Sequence, residues 1–223
     1  MRQFWKNISL QSLKLDAMLV KETLAACQGL GFKDQDVLPM IQKHLQSGTT
    51  SRPEELVKII EIGDKLPKQK ATTVGSEDED GENPFRLSEI SWISDNPETE
   101  WIYRRISNYA KIANEAMWNF DIWGYQDLLQ YTKYYGNGGH YDWHADLGPG
   151  ISNRKLSCVL QLSTPEEYEG GELQMNPGGD IMSVPKGLGT ICFFPSFLLH
   201  RVTPLTSGTR KSLVTWLCGA NLR

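Results

Sequence analysis

The run TRKSLVTWLC, residues 209–218, alternates along its length. Arg210, Ser212, Val214 and Trp216 fall on one face of an extended strand, and Lys211, Leu213, Thr215 and Leu217 on the other. A guanidinium and a hydroxyl that share a face with Val and Trp point to a lined pocket, not to a solvent face. Four similar runs precede it: YQDLLQYTKYY (125–135), KLSCVLQLS (155–163), GGELQM (170–175) and GTICFFP (189–195). From Gly124 onward, Gly, Pro, Asn and Ser turns separate these runs. Short, regularly spaced strands with such punctuation form a sandwich, a barrel or a jelly roll.

Upstream of this region the chain reads helical. Leu10 to Cys27 carries Leu13, Ala17, Val20 and Leu24 at helical spacing and stops at Gly29 and Gly31. Asp34 to Leu45 contains Pro39, which predicts a short or kinked helix. A third helix begins at Ser51, with Pro53 in its first turn, Glu54 and Glu55 beside its N-terminus, and Leu56, Ile59, Ile60 and Gly63 as its buried stripe. FRLSEISWIS (85–94) alternates as a strand, and Asp95-Asn96-Pro97-Glu98 then opens the strongest helix, with Ile102, Ile106, Tyr109, Ala113 and Met117 as its apolar face. The expectation is an α+β chain, helices first and a β-rich core after them.

Composition narrows the class. The chain has 223 residues, 39% hydrophobic and 22% charged, as in soluble globular proteins that bury a core. It holds no apolar run of the ~20 residues that a membrane span needs. The opening MRQFWKNISLQSLKLDAMLVK mixes charges through its apolar residues, unlike a signal peptide. With 23 basic against 27 acidic side chains the net charge is −4, which argues against nucleic acid as a partner. Cys27, Cys158, Cys192 and Cys218 form no C-x-x-C pair, and the last three, in apolar strand-like runs, read as buried free thiols. A cytoplasmic protein is expected, with no membrane partner. The segment GSEDEDGENP (75–84) places five carboxylates among the six positions 77–82 and reads as a solvated loop in preference to a cation site.

The chemistry-bearing residues cluster late in the chain. His144-Ala145-Asp146 sets an imidazole and a carboxylate two residues apart on one strand face, and His200 follows the apolar strand that ends at Phe194-Pro195. Two His and one Asp make the facial triad that holds non-haem Fe(II) and leaves coordination positions open. Those positions suit a bidentate 2-oxo acid and dioxygen. A dicarboxylate such as 2-oxoglutarate needs a second anchor, and Arg210, ten residues after His200, supplies the planar fork for it, with Ser212 as a further donor.

The strings KYYGNGGHYDWHAD, RKLSCVLQLSTPEEYEGGEL and FFPSFLLHRVTPLTSGTRKSLVTW resemble the prolyl 4-hydroxylase-like branch of the Fe(II)/2-oxoglutarate dioxygenases, and PEELVKIIEIGDKL and the RLSEISWI strand fit it too. The resemblance runs from about residue 51 to the C-terminus. It implies a double-stranded β-helix (a jelly roll) with supporting helices, its core at about 123–223, and leaves residues 1–50 as an N-terminal helical extension. It implies His144, Asp146 and His200 as iron ligands and Arg210, paired with Ser212, as the anchor of the distal carboxylate. A tyrosine nine or ten residues before the first ligand usually contacts the cosubstrate, which gives Tyr135 or Tyr134, with Tyr135 preferred; Trp216 is a further candidate. The activity implied is hydroxylation of a prolyl residue in a protein or peptide, with succinate and CO2 as co-products and ascorbate as a possible reductant. The same chemistry on a free amino acid or small metabolite is the alternative.

Competing readings are weaker. His140 and His144 have the spacing of a helical zinc pair, but glycine-rich sequence just before them disfavours a helix. His140 shares strand parity with His144 and reads as a satisfied polar residue in preference to an outer neighbour of the metal or a substrate-facing group. Halogenases of this architecture have a small residue where Asp146 stands. Nucleic-acid demethylases of the superfamily typically have a second Arg six residues after the first, where this chain has Trp216. A non-catalytic jelly-roll metal-binding module has no physical need for all four groups. Trp143, Tyr141, Trp216 and Tyr125 could wall a substrate pocket, though core packing is the commoner role of each.

Overall fold

A computed structural model describes residues 53–71, 83–148 and 150–221. The helices expected in Leu10–Cys27 and Asp34–Leu45, the extension 1–50 and the acidic run 77–82 lie outside the described residues.

Helix α1 spans Pro53–Lys65, with Glu54 and Glu55 in its first turn and Lys65 in its last, each placed to suit the helix dipole. It buries Leu56, Ile59 and Gly63, while Ile60 is half-buried. A side chain at Gly63 would overlap the Tyr131 ring, so the helix can lie close to the sheet only because this position has no Cβ. Gly63→Val is therefore expected to cost about 1–3 kcal/mol by overpacking, read as a lower denaturant midpoint with an unchanged slope.

Strands β1 (Gln69–Lys70), β2 (Arg86–Leu87) and β3 (Glu89–Ile93) follow. The stretch expected as one strand is two: β2 pairs with one sheet and β3 with the other, Ser88 standing at the handover. Alternation persists through such a corner, which is why the sequence pattern does not reveal it. Helix α2 (Glu100–Met117) starts where Asn96 Oδ1 accepts from the Glu98 amide and Thr99 Oγ donates to the Ser94 carbonyl at 2.5 Å. Its buried residues are Ile102, Tyr103, Ile106 and Ala110. Tyr109, Ala113 and Met117 are only half-buried, a corrected face. Tyr103 turns the helix inward by donating its hydroxyl to the Ile93 carbonyl at 2.6 Å.

The remaining strands are β4 (Ile122–Tyr125), β5 (Leu129–Tyr135), β6 (His140–His144), β7 (Arg154–Gln161), β8 (Tyr168–Gly170), β9 (Leu173–Asn176), β10 (Met182–Ser183), β11 (Ile191–Pro195), β12 (Leu199–Val202) and β13 (Leu205–Gly219). YQDLLQYTKYY thus divides into β4 and β5. One antiparallel sheet runs β1-β3-β5-β13-β7-β11, with β4 and β8 also on β13, and the other runs β10-β9-β12-β6-β2. The helices cover one face of the large sheet, where Leu56, Ile59, Ile102 and Ile106 meet Leu129, Tyr131, Leu160 and Leu213. The small sheet covers its other face, where Tyr134, Val159 and Phe194 meet Leu173, Met175 and Val202. This is the jelly roll with supporting helices that the sequence led us to expect. Among the described residues no helix is long and apolar enough to cross a membrane.

Candidate metal centre

The site lies between the two sheets. The turn Gly136-Asn137-Gly138-Gly139 delivers β6 to it: Gly138 sits at φ 91°, and a Cβ on Gly136 would stand 2.5 Å from Ser207 Cα. Across β6 and β12, His144 lies opposite His200 and Tyr141 opposite Val202, so that two residues of β6, Asp142 and Trp143, face the single Arg201 of β12. This bulge breaks the two-residue period. The expected parity of His140 with His144 is lost, and Tyr141 instead stacks on the His144 ring, centroids 3.4 Å apart. His140 turns away, its ring nitrogens on the carbonyls of Gly138 (2.8 Å) and Pro84 (3.0 Å).

His144, Asp146 and His200 converge, with ligand-capable atoms within 4.8 Å of one another. His144 Nε2 is 3.7 Å from Asp146 Oδ1, and His200 Nε2 is 3.4 Å from Asp146 Oδ2. Donors about 2.1 Å from one ion stand roughly 3–4 Å apart, so the arrangement fits a single metal. Each imidazole is oriented from behind: Nδ1 of His144 donates to the Asp142 carbonyl at 2.7 Å, and Nδ1 of His200 to the Leu198 carbonyl at 2.9 Å. A carbonyl only accepts, so the proton sits on Nδ1 and the Nε2 lone pair faces the centre. Burial, then the neighbouring His200, pushes the His144 pKa down to about 4, so its imidazole is neutral as a ligand must be. Burial alone would raise the Asp146 carboxyl, but the positive charge of a protonated imidazole on either side and the Ser157 hydroxyl outweigh it and hold it below its ordinary value. Two imidazoles and one carboxylate suit Fe(II).

Ser157 donates its hydroxyl to Asp146 Oδ2 at 2.6 Å and lies 3.1 Å from Ser196 Oγ. Ser157→Ala is expected to weaken metal binding by ~10-fold or more through loss of this orientation, read by metal titration. The signal for Ser157 is present in the sequence: Ser157 and Gln161 share one face of β7, while Leu156, Cys158 and Leu160 make the other face apolar.

A cavity of about 800 Å³ opens from the triad along β13 and is lined by Tyr134, Arg210, Ser212, Val214 and Trp216 among others. The alternation read in 209–218 therefore holds, with Leu213 and Leu217 in the core on the other face. Arg210 is 1% exposed. Its Nη2 donates to Gln161 Oε1 at 2.9 Å, and its guanidinium lies 5.5 Å from the centre of the Tyr134 ring. Arg210 Nε and Ser212 Oγ are buried without a hydrogen-bond partner, and among the described residues no carboxylate pairs with Arg210. A buried cation among neutral groups is uncompensated, and an anionic ligand satisfies it together with both orphaned atoms. The donor set thus fits a dicarboxylate that reaches the metal with its other end.

The preference for Tyr135 is corrected. Tyr134 is paired in register with Arg210 and lines the cavity. Tyr135 points to the opposite face, where its hydroxyl binds Glu89; burial and that carboxylate push its pKa up to about 12. Trp216 stands at the Asp146 end of the cavity, stacked under Arg154, whose guanidinium carbon is 3.8 Å from the ring centre. Arg154 is itself paired with Asp127 at 2.8 Å. Tyr141 and Trp143 also line the cavity, but Tyr125 does not: its hydroxyl lies 2.9 Å from Ser107 on α2. Arg154 and Arg86 are site residues with no motif to announce them.

Residues 129–218 match the family model of the 2OG-Fe(II) oxygenase superfamily. The chain is 42% identical over 82 residues to a PKHD-type hydroxylase of Colwellia psychrerythraea, a match covering 37% of each chain. It is 41% identical over 90 residues to one of Hyphomonas neptunium, covering 38% of this chain and 40% of that protein. The match therefore spans about two fifths of the length of these relatives. In structure it resembles a Pseudomonas putida prolyl-4-hydroxylase (TM-score 0.51, 22% identity, 61% of this chain and 74% of that one). It also resembles a Trichoplax adhaerens prolyl hydroxylase solved with a hypoxia inducible factor peptide fragment (TM-score 0.54, 16% identity, 96% and 94%). These likenesses establish the fold.

Proposed function

We propose that the protein, whose residues 129–218 match the 2OG-Fe(II) oxygenase superfamily model, is an Fe(II)- and 2-oxoglutarate-dependent hydroxylase acting on a prolyl residue of a protein or peptide. One observation carries the reading: a His-Asp-His triad, with Asp146 and His200 buried and His144 half-buried, shares one cavity with an uncompensated buried arginine. The prolyl substrate is supported by the sequence resemblance and by the prolyl hydroxylases among the structural neighbours.

His144, Asp146 and His200 would hold the iron on one side, and Arg210 with Ser212 would take the distal carboxylate of 2-oxoglutarate. When bound, iron and 2-oxoglutarate would activate dioxygen, the oxidant for C–H hydroxylation, one oxygen atom passing to the substrate and the other to succinate as CO2 leaves. The chain's own residues position and exclude. The Nδ1 anchors fix the imidazole planes, Ser157 fixes the carboxylate, and Val159, Leu173, Val202 and Val214 line the cavity with apolar surface. The Tyr134 ring sets the face on which the Arg210 fork opens.

An anaerobic titration with Fe(II) and then 2-oxoglutarate tests the proposal. A visible charge-transfer band that needs both additions supports it. Metal binding with no band on adding 2-oxoglutarate would overturn it in favour of a non-catalytic metal-binding module. Within the same titration, Tyr134→Ala is expected to weaken 2-oxoglutarate binding by roughly tenfold, an aromatic–cation contact in a desolvated site being worth ~1–2 kcal/mol. Tyr135→Phe is expected to leave it unchanged.

A further inference from the structure

The cavity contains a second arginine that the proposed chemistry leaves unused. Arg86, on β2, is 8% exposed and lines the same cavity. Its Nε donates to Ser88 Oγ at 3.0 Å and its Nη2 to Gln130 Oε1 at 2.8 Å, and its guanidinium carbon lies 4.5 Å from the centre of the Tyr141 ring. Every one of these partners is neutral, and among the described residues no carboxylate pairs with it. Arg154, the third arginine of the cavity, is neutralised by Asp127. Burying a guanidinium without a counter-charge costs stability that a bound anion restores.

Arg86 and Arg210 serve different ends of the cavity. Gln130, which holds Arg86, is paired in register with Val214, and Tyr134 with Arg210. Four strand residues separate the two registers, ~13 Å along β13. On the small sheet, Arg86 faces Tyr141, whose ring stacks on His144. Arg86 is thus one aromatic ring away from the metal ligand and far from the distal-carboxylate anchor. Resting on the hydroxylase reading, 2-oxoglutarate accounts for two anionic ends, one at the metal and one at Arg210. The charge of Arg86 remains.

We infer that Arg86 receives a carboxylate of the substrate to be hydroxylated, and so selects acidic substrates at the metal end of the cavity. Its two occupied nitrogens hold the guanidinium plane fixed, which pre-organises it for a planar acceptor. The carboxylate can belong to a free amino acid or to an acidic residue of a peptide.

Calorimetry on the full chain loaded with Mn(II) in place of Fe(II), plus 2-oxoglutarate, tests this without turnover. The probes are N-acetyl amino acids, including N-acetylproline, and their N-methylamides, together with end-blocked proline peptides that contain or lack Asp or Glu. At least one acid is expected to bind about tenfold or more tightly than its neutral counterpart. Arg86→Gln is expected to erase that preference, Arg86→Lys to keep part of it, and both to bind 2-oxoglutarate as wild type does, which also reports that they are folded. A preference confined to free α-carboxylates assigns the anion to an amino acid, and one confined to blocked acidic peptides assigns it to a peptide. No acid preferred over its neutral counterpart, a preference that survives Arg86→Gln, or loss of 2-oxoglutarate binding in that variant would overturn the inference. Uptake of 2-oxoglutarate by the wild type is read first; its failure would overturn the hydroxylase reading, while the acid–amide comparison still decides Arg86.

Discussion

Replacing His200 with alanine is expected to abolish Fe(II) binding and all succinate formation. The imidazole is 5% exposed and its Nδ1 is held by the Leu198 carbonyl, so its Nε2 is aimed at the metal before any metal arrives. Alanine removes one of three protein ligands, and neither a mobile side chain nor bulk water restores that geometry inside the cavity. Outer partners of metal ligands are worth ~10–100-fold in affinity, and a ligand itself is worth more. His144→Ala is expected to behave alike. Metal content after dialysis and succinate formation are the measurements, with circular dichroism to confirm the fold. Wild-type succinate formation by either variant would refute the ligand assignment.

Arg210→Ala separates the cosubstrate from the metal. Two charge-assisted hydrogen bonds to a carboxylate are worth about 3 kcal/mol together, so the 2-oxoglutarate requirement is expected to rise roughly a hundredfold while Fe(II) affinity stays near wild type. Arg210→Lys recovers only part, because an ammonium cannot form two parallel bonds. The thermal midpoint adds a second readout. The buried guanidinium is uncompensated without an anion, so Arg210→Ala is expected to melt no lower than wild type in the absence of 2-oxoglutarate. Only wild type should then gain stability when the cosubstrate is added, since only a ligand that binds the native state raises it. A variant that binds 2-oxoglutarate like wild type would show that Arg210 is not the anchor.

The sequence made the triad and the face of β13 legible for one reason: strand alternation and residue chemistry are both local. His144, Asp146 and His200 required only a strand and a short loop each, and Arg210 to Trp216 required only an unbroken period of two. The misreadings occur where pairing between distant segments resets the local pattern. The β6 bulge, fixed by β12, moved Tyr141 rather than His140 onto the face of His144. The register of β5 against β13 put Tyr134, not its neighbour, beside Arg210. The corner at Ser88 sends Arg86 into the cavity, and the alternation of 85–94 does not change there. The turn of α2 toward the sheet follows from a Tyr103 bond to Ile93, ten residues upstream. Each correction is tertiary, and each lies beyond the reach of a periodicity.

The placement of β13 has a kinetic consequence. Its amides bond to β5 over residues 209–214 and to β7 over 212–218. Exchanging the backbone hydrogens of Arg210 and Ser212 with deuterated solvent therefore requires separating the centre of the large sheet, an opening close to global unfolding. His144 ends a five-residue strand that follows a glycine turn. Deuterium is expected to enter the segment 136–146 first and β13 last. On the hydroxylase reading, the Arg210 end of the cavity is therefore expected to stay structured after the His144 end has opened.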